Sequence, residues 1–183
     1  MLIYIIVLYF IRHGESTSNR DKVFSGSRND VALTALGRNQ AKAAGSEIIA
    51  NGLDLNRLVC SPLKRAIETA SIISEEINFP FDRVIIDDRI AEYDVGSFTG
   101  KSSKDVAALE VLADQESEVP ESFLKRIKEA LAEYDAMDGN TLIVSHGGVS
   151  RMMRCYKAGR DINMFLDTPN YKNAKLIVLK WGI

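Results

Sequence analysis

The chain holds two histidines among 183 residues, and both end an apolar run. His13 does so in "VLYFIRHGES" (residues 7–16) and His146 in "TLIVSHGGVS" (residues 141–150). A glycine follows each, and Arg12 precedes the first. A second arginine, Arg65, stands beside Lys64 in "CSPLKRAIETA" (residues 60–70). A neutral imidazole is a competent nucleophile near neutral pH. A guanidinium fork pairs with two oxygens of a phosphate at once. Brought together, Arg12, Arg65, His13 and His146 would form a compact cationic pocket whose natural guest is phosphate. Zinc is another common use of histidine, but no His-x-x-x-His or paired cysteines accompany these two, so no metal is expected. Plainer readings exist. A lone buried histidine is usually structural, and Arg65 near Glu68 fits a solvated helix face. Two His-Gly steps with arginine neighbours outweigh them.

The elements that must position these groups follow from the apolar pattern. Residues 5–12 read as a buried strand. Residues 13–33 are polar and read as loop. Thr34 can cap a helix over 35–50 with Leu36, Ala44 and Ile48 inward, stopped by Asn51-Gly52. "RLVCS" is a short strand, after which Ser61 caps a helix beginning at Pro62. Ile67, Ala70, Ile73 and Ile77 form that helix's apolar face. "RVIID" is a third strand, and residues 88–103 are loop. Helices are expected over 104–114 and 120–135, the Lys and Glu run at 121–133 being a solvated face. "TLIVS" is a strand, a helix follows Gly147 and Gly148, and "KLIVLKW" is the last strand. This alternation predicts an α/β fold: a three-layer sandwich with a mostly parallel central sheet and helices on both faces. Ligands of such sheets sit beyond the strands' carboxyl ends, where His13, Ser61 and His146 fall.

The residues at these places resemble the motifs of the histidine phosphatase superfamily, the phosphoglycerate mutase-like family, across nearly the whole chain. "RHGESTSN" (12–19) resembles its opening motif, and "VFSG" (23–26) the phosphate-pocket segment after it. "LTALGRNQA" (33–41) is similar to the next helix start, and "CSPLKRAIETA" to the second arginine motif. "IAEYDVGSFTG" (90–100) resembles the loop bearing an acid, "PESFLKRI" a helix opening, and "VSHGGVSRMM" the second histidine motif. The resemblance implies one phosphatase domain over residues 1–183 working through phosphohistidine. His13 would attack phosphorus in line. Glu92 would protonate the leaving alcohol and then activate water. Arg12, Arg65 and His146 would stabilise the charged oxygens. Asn19, Ser25, Gly26 and Gly147 would complete substrate binding. It implies no cofactor. Ser18 and Phe98 stand where tryptophan is common in the family, and Thr99 where glutamate is frequent; these bear on substrate identity.

Two alternatives accompany the phosphatase reading. The mutases of the family carry a longer insertion between the acid and the second histidine, and a tyrosine where this chain has Val95. Only about twenty residues separate Gly100 from the Pro120 helix here, which favours an open site and hydrolysis. The other alternative is a non-catalytic phospholigand-binding module on the same fold.

Composition bounds the partners. Net charge is −2, with no global basic field for nucleic acid or anionic membrane, so neither is expected as a partner. Cys60 and Cys155 fit a reduced chain with buried thiols. The apolar start "MLIYIIVLYFI" is about half a membrane span and has no signal-peptide pattern, so a cytoplasmic location is expected. The expected substrate is a small phosphorylated metabolite, and the expected assembly a monomer or homodimer.

Overall fold

The computed structural model describes residues 7–104 and 106–179. Five strands form one sheet: β1 (Leu8–Arg12), β2 (Arg57–Cys60), β3 (Ile85–Ile86), β4 (Thr141–Ser145) and β5 (Leu176–Leu179). Their order is β3-β2-β4-β1-β5. All pairings are parallel except that of β5, which runs antiparallel to β1. Alternation of side chains puts each strand's residues into two cores. Leu8, Phe10, Val59 and Ile143 face one side, and Tyr9, Ile11, Leu58, Leu142 and Val144 the other. Full burial of a side chain such as Phe10 or Ile11 stabilises by about 1.5–3 kcal/mol.

Helices cover both faces. α1 (Thr17–Asp21) lies in the loop after β1. α2 (Ala35–Ala50) and α3 (Lys64–Glu76) pack Ala44, Ile48, Ala70 and Ile73 onto one face. α4 (Ala108–Ala113), α5 (Pro120–Asp135) and α6 (Gly147–Lys157) lie on the other, with Val111, Phe123, Ile127 and Met152 in its core. The predicted three-layer α/β sandwich is the observed architecture.

Several local expectations differ. Thr34 caps α2 as expected, its side chain accepting from Gly37 N. Leu36, however, is 53% exposed; the buried stripe is Gly37, Ala41, Ala44, Gly45 and Ile48. Leu36 sits about 100° around the helix from Gly37 and so misses the sheet. The helix after β2 begins at Lys64, not Pro62, and its N-cap Leu63 offers no side-chain bond. The loop 13–33 contains α1, whose capping box joins Ser16 and Asn19 reciprocally. The third strand is only two residues, both exposed. α4 is shorter than the stretch expected over 104–114. Residues 5, 6, 180 and 181 of the first and last predicted strands lie outside the described residues.

Candidate active site

Register delivers the two histidines to one place. Arg12 pairs with Ser145 across parallel β1 and β4, so the next residues, His13 and His146, leave adjacent strand ends together. Their ring centroids are 5.2 Å apart, and both are buried. β2 ends alongside, with Ser61 N donating to Val144 O, so Ser61 reaches His146: Oγ lies 2.6 Å from Nε2. Ser61 Oγ also accepts from Leu63 N at 3.4 Å, but α3 begins only at Lys64, so Ser61 is not its N-cap.

The protonation of His13 follows from its partners. Nδ1 is 2.7 Å from the Gly14 carbonyl, which can only accept, so Nδ1 carries the hydrogen. Nε2 accepts from Arg65 Nε at 3.3 Å. The lone pair therefore sits on Nε2. Burial first, and the Arg65 and Arg12 charges next, hold His13 well below the usual imidazole value. The same three causes, with His13 itself, hold His146 low. Both rings are neutral at pH 7, as a nucleophile must be.

The carbonyl that fixes His13 is itself held tightly. Gly14 N donates to Thr69 Oγ1, one turn beyond Arg65 on α3. A Cβ on Gly14 would lie 2.3 Å from Gly37 O, and one on Gly37 2.1 Å from Glu15 O. Two glycines are what let α2 press against the nucleophile's loop.

Arg65 is 1% exposed. It donates to Gly26 O from Nη2 and to Asn29 O from Nη1, so the loop 24–29 locks it. Gly26 thus serves through its carbonyl, and its positive φ of 54° with Val95 Cγ2 2.8 Å from a notional Cβ leaves no room for a side chain. Arg12 donates from Nη1 to Tyr171 O, while its Nε is buried without a hydrogen-bond partner. Burial pushes both guanidinium values down, and the Glu92 carboxylate pulls both back up.

Glu92 faces these arginines at the start of α6. Its Oε2 accepts from Gly148 N at 3.2 Å and its Oε1 from Tyr93 N at 2.9 Å. Ser145 Oγ and Arg126 hold the loop beneath it. Ser145 donates to Ile90 O, and Arg126 donates to the carbonyls of Arg89, Ala91 and Glu92 while pairing with Glu118. The Lys and Glu residues of 121–133 are exposed as expected of a solvated face, but Arg126 among them turns its guanidinium inward.

Asn19 Oδ1 accepts from Ser16 N and from Asn173 Nδ2, which leaves its own Nδ2 for the cleft. Arg12, His13, Asn19, Ser25, Gly26, Arg65, Glu92 and Gly147 all line one cleft of about 610 Å³, with His146 beside His13. Its other wall is apolar: Phe24, Val95, Val106, Val111 and Leu166. Val106, Ala108 and Val111 come from the short segment 97–119 that roofs it.

Sequence reasoning missed Ser61 as the partner of His146, and missed Arg126, Arg151, Asn170 and Asn173. Only Arg151 had a readable signal. It follows Gly147 by four and Gly148 by three, which places it on their face of α6. Among the described residues, no cluster of three His, Cys, Asp or Glu could hold a metal ion. The donor set of imidazoles, guanidiniums and helix-start N–H groups suits an anion.

A mostly parallel sheet brings two imidazoles and Arg12 at its strand ends beside Arg65 of α3, an arrangement that suits an anion. The sequence profile of the histidine phosphatase superfamily (branch 1) matches residues 8–182, and the chain belongs to that superfamily. It is 30% identical over 158 residues to a 2,3-bisphosphoglycerate-dependent phosphoglycerate mutase of Thermoplasma acidophilum, covering 82% of this chain and 75% of that protein. It is 32% identical over 167 residues to a candidate phosphoserine phosphatase of Hydrogenobacter thermophilus, covering 83% and 78%. It also matches an agropine synthesis reductase of Rhizobium rhizogenes at 36% over 154 residues, 79% of this chain but only 34% of that protein's length. Among solved structures, Bacillus stearothermophilus YhfR superimposes with a TM-score of 0.81 at 25% identity, over 95% of this chain and 90% of that one.

Proposed function

We propose that the chain is a metal-independent phosphomonoesterase that hydrolyses a small phosphorylated metabolite through phosphohistidine on His13. One observation carries this: the Gly14 carbonyl holds the hydrogen of His13 on Nδ1, so Nε2 presents its lone pair where Arg65 would hold a phosphoryl oxygen. In the first step Nε2 attacks phosphorus and the bond from phosphorus to the ester oxygen breaks. Glu92 gives its proton to the departing alkoxide. In the second step the Glu92 carboxylate takes a proton from water, whose oxygen attacks phosphorus. The P–N bond breaks, inorganic phosphate leaves, and Glu92 is protonated again. Arg12, Arg65 and His146 stabilise the equatorial oxygens, each such contact being worth roughly 3 kcal/mol of barrier. A cleft of about 610 Å³ matches a small metabolite.

A mutase reading has support in the Thermoplasma relative's name. Hydrolysis is favoured because the roof over the site is one short segment, α4 with its flanking loops, and water can enter. The test is p-nitrophenyl phosphate hydrolysis with EDTA present, wild type beside His13→Ala. The proposal expects turnover that the substitution abolishes. Turnover that needs metal, or that survives the loss of His13, overturns it.

A further inference from the structure

Arg151 lines the cleft but has no part in the chemistry described above. Its Nε is buried without a hydrogen-bond partner. Among the described residues no carboxylate lies within ion-pair distance of it. Glu92 and Asp167 act on it only through space, and burial pushes its guanidinium below the ordinary value. Leaving the buried Nε–H of a half-buried guanidinium without an acceptor costs stability, so the arrangement suits a guest that supplies an anionic acceptor.

Position says which part of a guest that would be. Gly148 N donates to Glu92 Oε2 at 3.2 Å, and Arg151 follows Gly148 by three on the same face of α6. Arg151 therefore stands on the Glu92 side of the pocket, one turn into α6 beyond Gly148. In an in-line displacement the leaving alcohol departs opposite the nucleophile, toward the acid that protonates it. A group beyond the acid meets the rest of that alcohol, not the phosphoryl oxygens.

We infer that Arg151 binds a second anionic group carried by the leaving alcohol, so that the preferred substrate is a phosphomonoester bearing a carboxylate or a second phosphate. This rests on the phosphatase reading and narrows it to acidic substrates. The planar fork of arginine suits either anion bidentately, and the low-dielectric wall of Val95, Val111 and Leu166 strengthens the pairing.

The test compares matched substrates. 3-Phosphoglycerate and glycerol 3-phosphate differ by a carboxylate against a hydroxymethyl; fructose 1,6-bisphosphate and fructose 6-phosphate differ by a phosphate. For wild type, kcat/KM is expected to favour the acidic member of at least one pair tenfold or more, and the favoured pair names the anion. In Arg151→Met that ratio should collapse to within threefold of unity, mainly through KM, while Arg151→Lys retains part of it. The melting temperature of Arg151→Met should hold or rise, because no protein partner is orphaned. A wild type without preference in either pair, or an Arg151→Met that loses both members equally, overturns the inference while leaving hydrolysis intact. Absence of turnover on every ester contradicts the phosphatase reading instead. Equilibrium binding of the same pairs to wild type and Arg151→Met then still reads the anion preference, and equal affinities overturn it.

Discussion

At the scale of single residues, the site is a set of polar atoms committed in advance. His13 spends Nδ1 on Gly14 and keeps Nε2; Asn19 commits Oδ1 to Ser16 and Asn173 and keeps Nδ2. Glu92 is placed by the absence of a side chain opposite it, since a Cβ on Gly148 would lie 2.2 Å from its Oε1. Gly148→Ala must therefore push the carboxyl out of line. The expected result is a fall in kcat of about a hundredfold with an intact fold, because a displacement of about 1 Å costs that much. Steady-state kinetics beside a circular dichroism melt checks it; an unchanged kcat would show that Glu92 is not the acid. The convergence of His13, His146, Arg12 and Arg65 was legible because they sit in short contiguous motifs at strand ends or at the start of the helix that follows one. Ser61 read as a cap because its hydrogen bond to His146 spans 85 positions, which no local pattern encodes.

At the scale of elements, the strands and long helices were legible because apolar runs and caps are local signals. α5 and β4 match their expected bounds, and Thr34 caps α2. β3 was legible in place but not in length, its two residues being exposed, and the small α1 was not legible, because its box is closed by asparagine. Arg126 shows what periodicity hides: its helix face reads as polar, yet it receives three loop carbonyls and Glu118. Arg126→Met should leave those carbonyls and Glu118 without their donor. The expected cost is about 2 kcal/mol of stability, together with a fall in kcat exceeding any change in KM, since the loop carrying Glu92 loosens. Urea unfolding and kinetics on the same preparation test this. Loss of stability with unchanged kcat would make Arg126 a purely structural residue.

At the scale of the whole molecule, burying two neutral imidazoles couples folding to pH. Both histidines titrate well below their ordinary value of 6.5 in the folded chain. Above that value they are neutral whether folded or not, so they leave stability unaffected. Below it the unfolded chain gains protons that the folded chain does not, and stability falls with pH. Asp87 adds a second, lower window. Burial pushes its carboxyl up, but bonds from Arg89 and Tyr134 prevail and hold it below its ordinary 3.8. Its contribution is present above that pH and is lost as pH falls through the folded value. The urea midpoint, in phosphate-free buffer, should be level from pH 8 to 7 and decline steadily from about 6.5 downward. Imidazole NMR should show both rings neutral at pH 6. A flat midpoint down to pH 5 would contradict the burial assigned to the pair. Among the described residues no helix is long and apolar enough to cross a membrane.

The most direct test of the central claim uses the fact that the chain has only two histidines. The protein is mixed with a phosphomonoester it turns over, quenched in alkali within milliseconds, digested, and its peptides are mapped for added phosphate. The account predicts phosphohistidine on the peptide containing His13, none on the peptide containing His146, and none at all in His13→Ala. Label on His146, or turnover with neither histidine labelled, would contradict it.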